Sequence, residues 1–179
     1  WLAVVIFVQK VWDQLHRMIV GIPTLRRSQI TANLFLGGQY NWRGLRLLRE
    51  MGVTAVVNMR MHSVYVEARY QGMKYLHLPT PDNTPPKLED LIRGAEFAHE
   101  EVQAGGKVYI HCRQGLGRGP TMAIAYLLRM GQTYEDAFAT VRRVRTFINP
   151  RPGQVARLKE LEAYFERERK TEKKLAPRI

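Results

Sequence analysis

The residues best equipped for chemistry lie in one stretch, VYIHCRQGLGRGPTMAIA, residues 108–125. It holds the chain's only cysteine, Cys112, and an arginine six residues later, Arg118. Between them runs Arg113-Gln114-Gly115-Leu116-Gly117, a loop with two glycines. Backbone N–H groups of a tight loop at a helix N-terminus converge on one spot, and the helix dipole adds positive potential there. Such a place binds an anion and favours the thiolate, the nucleophilic form of cysteine. Arg118 adds a planar fork of donors suited to two phosphate oxygens. The chemistry indicated is attack of a thiolate on a phosphoryl group. The alternative is an inert cysteine, since free cysteine is often buried as a small hydrophobe.

This chemistry needs a strand before the loop and a helix after it. Val108–His111 is apolar, β-branched or aromatic and follows Gly105-Gly106, which reads as a buried strand after a turn. A helix is expected to open near Gly119-Pro120, where proline's missing N–H has no intrahelical partner to lose.

His111-Cys112, five further residues and Arg118 resemble the signature of cysteine-dependent phosphatases of the protein-tyrosine and dual-specificity class. Gly115-Leu116-Gly117-Arg118 is most similar to the compact dual-specificity branch. With each residue type used at a few per cent, this set of His, Cys, Gly and Arg coincides by chance at on the order of 10⁻⁶ per start position. The resemblance covers about residues 29–165 and implies an α/β domain acting through a cysteinyl-phosphate, with no metal or other cofactor. The backbone from Arg113 to Arg118 would bind phosphate. His111 would order the loop; otherwise it is an ordinary core histidine.

Protonating the leaving oxygen calls for a general acid on a neighbouring loop. The four aspartates are Asp13, Asp82, Asp90 and Asp136. Asp82 lies on the proline-bounded loop Thr80-Pro81-Asp82-Asn83-Thr84-Pro85-Pro86, where the family carries its acid. An Asx turn is the alternative role. Asp13 falls in an N-terminal appendage, Asp90 reads as a helix-surface charge, and Asp136 suits a helix first turn. Gln154 matches a glutamine that positions water in some relatives, or it simply starts a helix. One departure stands out. The family usually has Ser or Thr directly after the arginine to stabilise the departing thiolate; here it is Gly119, with Thr121 two residues further on.

The remaining pattern alternates strands and helices. Short apolar runs at 34–36, 53–58 and 74–78 read as strands, the first as a strand or hairpin; 41–51, 87–103, 133 onward and 154–168 read as helices. This predicts an α/β fold with a central, mostly parallel sheet of about five strands flanked by helices, plus an N-terminal apolar or amphipathic helix. Ligands in such sheets bind beyond the carboxyl ends of strands, where Cys112 falls. The expected organisation is an N-terminal segment at 1–24, a catalytic domain at 25–168 and a charged tail at 169–179, with the mixed-charge stretch 167–174 expected to fray.

Residues 1–8 are continuously apolar, far short of the ~20 needed to span a bilayer. Val11, Trp12, Leu15, Met18 and Ile19 follow at helical spacing, with Lys10, His16 and Arg17 on another face. The helix either packs on the domain or lies in a membrane interface. The formal net charge of +12 points to anionic partners: a phosphorylated protein, a phospholipid or an anionic membrane surface. No nucleic-acid partner is expected, because no aromatic stacking motif or recognition helix is evident. One cysteine excludes an internal disulfide and a multi-thiolate zinc site, and the five histidines have no metal-ligand spacing. A thiolate suits a reducing compartment, so a cytoplasmic location, with membrane association through the N-terminus, is expected. Two readings compete with protein dephosphorylation: lipid head-group dephosphorylation, and phosphate capture without turnover.

Overall fold

Alternating side chains let a strand feed two cores at once, and this sheet is built that way. The computed structural model describes residues 1–175. Its strands are β1 (Leu34–Gly37), β2 (Ala55–Asn58), β3 (Lys74–His77) and β4 (Val108–His111), all parallel, in the order β1-β4-β2-β3. Leu34, Leu36, Ala55, Val57, Val108 and Ile110 face one core, joined by Cys112. Phe35, Val56 and Tyr109 face the other. Strand β4 is paired on both edges, with His111 opposite Gly37 on one side and Asn58 on the other. The loop after it therefore starts from an interior strand.

The sheet has four strands rather than about five. The segment before β1 folds straight back: the Ile30 N–H donates to the Leu34 carbonyl, and the Leu36 N–H to the Ser28 carbonyl. Only one antiparallel bridge forms, Gln29 to Phe35. The turn is too tight for a separate strand.

Helices α1 (Leu2–Val20) and α2 (Trp42–Glu50) precede α3 (Leu88–Gln103), α4 (Arg118–Arg129), α5 (Tyr134–Val144) and α6 (Pro152–Leu175). Asn41 caps α2 by accepting from the Gly44 N–H, and Thr133 caps α5 by accepting from the Asp136 N–H. Helix α4 is buried from Arg118 through Leu128, enclosed by α3, α5, α6 and the sheet. A helix apolar on all sides belongs inside. Full burial of a side chain such as Ile124 stabilises by about 1.5–3 kcal/mol.

The expected frayed tail is a correction. Helix α6 continues past residue 168 to Leu175, because residues 166–175 are mostly Glu, Lys and Arg, all good helix formers, with no Gly or Pro. Arg169 also donates to the Leu128 carbonyl at the end of α4. The rest of the expected tail, 176–179, lies outside the described residues.

Helix α1 docks on the domain, but not through the apolar positions that predicted it. Asp13 is its only fully buried residue, while Phe7, Val11, Trp12, Leu15, Met18 and Ile19 are exposed. Its inward face is polar. Gln9 meets Thr146, Gln14 donates to the Gln114 carbonyl, and Arg17 donates to the Gln39 carbonyl. Among the described residues no helix is long and apolar enough to cross a membrane.

Candidate active site

The loop between β4 and α4 holds its carbonyls outward. Outside groups donate to five of them in turn: the Gln39 N–H to Arg113, Arg145 Nη2 to Gln114, Arg145 Nε to Gly115, the Asn149 N–H to Leu116, and both the N–H and hydroxyl of Thr121 to Gly117. His111 Nδ1 lies 3.2 Å from the Cys112 carbonyl. With every carbonyl claimed from behind, the N–H groups are left on the opposite face. The Gly115 N–H donates to Cys112 Sγ at 3.2 Å. Those of Arg113, Gln114, Leu116 and Gly117 have no protein acceptor among the described residues. Gly115 makes the turn possible: its φ is +69°, and a Cβ there would stand 2.6 Å from the Gly37 carbonyl oxygen.

The strut behind the loop is Arg145, fully buried and at the C-terminus of α5. Besides its two loop carbonyls it pairs with both carboxylate oxygens of Asp13, at 2.8 and 3.2 Å, and donates to the Arg27 carbonyl. Its guanidinium also lies 4.5 Å above the Phe147 ring. Arginine has five N–H donors, and all five find acceptors here. The ion pair of Asp13 with Arg145 is closed from solvent on both sides, so removing either partner strands a buried charge. The appendage aspartate thus supports the loop rather than acting on a ligand.

In front of the loop is a cavity of about 310 Å³. Cys112, Arg118, Gly117 and Gln154 line it from the domain, Asp82 and Asn83 from the loop after β3, and Lys10 from α1. Arg113, Gln114 and Arg151 form its rim. Four cations, Lys10, Arg113, Arg118 and Arg151, face one carboxylate, Asp82. Arg118 is buried, and its Nη1 donates to the Thr80 carbonyl at 2.7 Å. Its Nη2 lies 3.0 Å from Asp82 Oδ1, and its buried Nε has no partner among the described residues. One edge of the guanidinium is fixed by backbone, and the other is held only by the largely exposed Asp82.

Asp82 owes its position to the start of α6. Gln154 Nε2 donates to the Thr84 carbonyl, Arg151 Nε donates to Asn83 Oδ1, and Gln154 Oε1 accepts the Arg151 N–H. Asn83 sits at φ +61°, a left-handed conformation that asparagine tolerates. Gln154 is therefore a buried clamp joining the Asp82 loop to α6, at the cavity wall. Thr121, a possible stand-in for the hydroxyl missing at Gly119, is turned away; its Oγ1 donates to the Gly117 carbonyl at 2.9 Å. At Gly119 itself a Cβ would lie 3.5 Å from Cys112 Sγ.

His111 is fully buried, with its ring against Tyr40 and stacked on Tyr109. Burial drives its pKa down to about 3, because a charged imidazolium there has lost its water. At neutral pH it is uncharged.

The structure thus brings Cys112, Arg118, Asp82 and Gln154 to one cavity. The sequence reading missed the Asp13–Arg145 strut and the contribution of Lys10 and Arg151. Arg151 was readable as a neighbour of Gln154. The strut joins residues far apart in the chain and has no local signature.

The model of the dual specificity phosphatase catalytic domain matches residues 34–164. Human serine/threonine/tyrosine-interacting protein is 34% identical over 154 residues, 80% of this chain and 68% of that protein. Human phosphatidylglycerophosphatase and protein-tyrosine phosphatase 1 is 38% identical over 91 residues, 50% of this chain and 45% of that protein. The crystal structure of PTPMT1 in complex with PI(5)P superimposes with a TM-score of 0.74 at 27% identity, covering 78% of this chain and 96% of that one. On this match, over residues 34–164, the chain belongs to the dual specificity phosphatase catalytic-domain family.

Proposed function

We propose that the chain hydrolyses phosphomonoesters through a covalent phosphocysteine, with Cys112 as nucleophile, Arg118 and the loop N–H groups as the phosphate cradle, and Asp82 as general acid. The observation that carries this is the loop itself, its carbonyls fastened outward and its free N–H groups beside a buried sulfur. Donors fixed before substrate arrives cost no reorganisation during reaction. A bound phosphoryl group competes with Asp82 for Arg118 Nη2. Binding thereby frees the Asp82 carboxyl to turn toward the leaving oxygen.

The thiolate attacks phosphorus, the S–P bond forms and the ester P–O bond breaks, and the departing oxygen takes the Asp82 proton. Water then attacks phosphorus, returns a proton to Asp82 and releases the thiolate. Gly119 offers that thiolate no hydroxyl, so the second step is slow relative to the first.

Phosphotyrosine, phosphoserine and phosphothreonine of proteins are the proposed substrates. A phospholipid head group is the second reading. It is favoured by the four cations around the cavity and by the PI(5)P complex of a similar structure. Hydrolysis of an aryl phosphate and of phosphopeptides tests the reading. Cys112→Ser abolishes both activities, and Asp82→Asn slows the phosphopeptides more than the activated aryl ester. Retained hydrolysis in Cys112→Ser contradicts it.

A further inference from the structure

The helix beside the cavity is inside out. Along α1, Gln9, Asp13, Gln14 and Arg17 bind the domain, while the opposite stripe faces solvent: Phe7 is 65% exposed, Trp12 56% and Ile19 64%. Phe7, Val8, Val11, Trp12 and Leu15 form a shallow apolar hollow of about 200 Å³. An amphipathic helix of a globular domain turns its apolar stripe inward, so this stripe is unspent by the fold.

We propose that this face docks the protein on an anionic lipid bilayer, with α1 lying in the interface plane. Charge selects this occupant. On α1 the one acid, Asp13, is already neutralised by Arg145, and the chain as a whole carries a formal net charge of +12. Arg26, Arg142 and Arg143 are exposed near the strut, Arg26 beside the Arg27 carbonyl and the other two just before Arg145. Apolar insertion together with net positive charge is the combination by which interfacial helices hold anionic surfaces. The attachment is also rigid. The polar side of α1 is tied to the phosphate loop through Asp13–Arg145 and Gln14–Gln114, and Lys10 lines the cavity. Docking would therefore hold the cavity in a fixed relation to the lipid surface rather than tether it loosely.

Co-sedimentation of the full chain with phosphatidylcholine vesicles, with and without phosphatidylglycerol, tests this. Binding is expected to anionic vesicles and to weaken as salt is added. Phe7→Ser/Trp12→Ser lowers that binding about tenfold or more while hydrolysis of a soluble aryl phosphate is unchanged. Cys112→Ser binds vesicles like the unaltered chain, so loss of docking and loss of catalysis read out separately. Three results overturn the proposal: no binding to anionic vesicles, equal binding by the double variant, or a dimer seen by light scattering that the double variant dissolves. The last assigns the face to a second copy of the chain.

Discussion

Helices α1 and α4 both meet the phosphate loop, and they are held by opposite means. Helix α4 grows out of the loop and is buried through Leu128, so its position comes from apolar burial spread over many side chains. Helix α1 comes from outside, buries only Asp13 fully, and is held by hydrogen bonds and one ion pair. Distributed burial degrades gradually when one side chain is trimmed. A single buried ion pair fails at once, because its desolvation is offset only while both partners remain. The loop is therefore fixed on one side by a robust element and on the other by one that a single substitution releases.

The largest expected effect follows from that asymmetry. Asp13→Ala strands Arg145 and removes about 3–5 kcal/mol of the stability associated with the pair. Amide hydrogen exchange should accelerate across α1 and the 113–116 loop while α4 stays protected. If α4 amides exchange equally fast, the two helices are one cooperative unit and the contrast fails.

Acid titration sharpens the comparison from the strand side. His111 is neutral in the fold, with its pKa lowered to about 3, and near 6.5 when unfolded. Between those values the unfolded chain binds the extra proton, so stability falls as pH drops, by up to about 1.4 kcal/mol per pH unit. Denaturant unfolding from pH 7 to pH 4 measures the slope. His111→Asn should remove this component and Asp13→Ala should not.

Ile124→Val, in the middle of α4, should cost about 0.5–1.5 kcal/mol by the same measurement and leave α1 exchange unchanged. Trp12→Ser, on the outer face of α1, should alter stability by no more than about 0.5 kcal/mol either way. A larger loss at Trp12 would mean that the apolar stripe helps hold the fold.

The parts of the molecule legible in the sequence were those with local signatures. Strand β4, the glycine loop and α4 are contiguous, and their periodicity and turn residues predict them directly. Asp82 was reachable because the loop bearing it is marked by prolines. In the sequence Asp13 reads as part of an appendage, because its partner Arg145 lies 132 positions away and only the fold joins them. The apolar spacing of α1 predicted a helix, as found, but spacing alone does not say which face meets the protein. The mixed-charge end of α6 read as frayed, although its composition favours helix and Arg169 reaches α4.

Rapid mixing with an aryl phosphate, followed by acid quench and mass analysis of the cysteine peptide, addresses the central claim most directly. A phosphoryl group on Cys112, formed in a burst before steady turnover, is the predicted result. Gly119→Ser, whose side chain starts 3.5 Å from the sulfur, should shrink that burst and speed turnover. Turnover without any phosphoryl group on Cys112, or with no burst, would contradict the account.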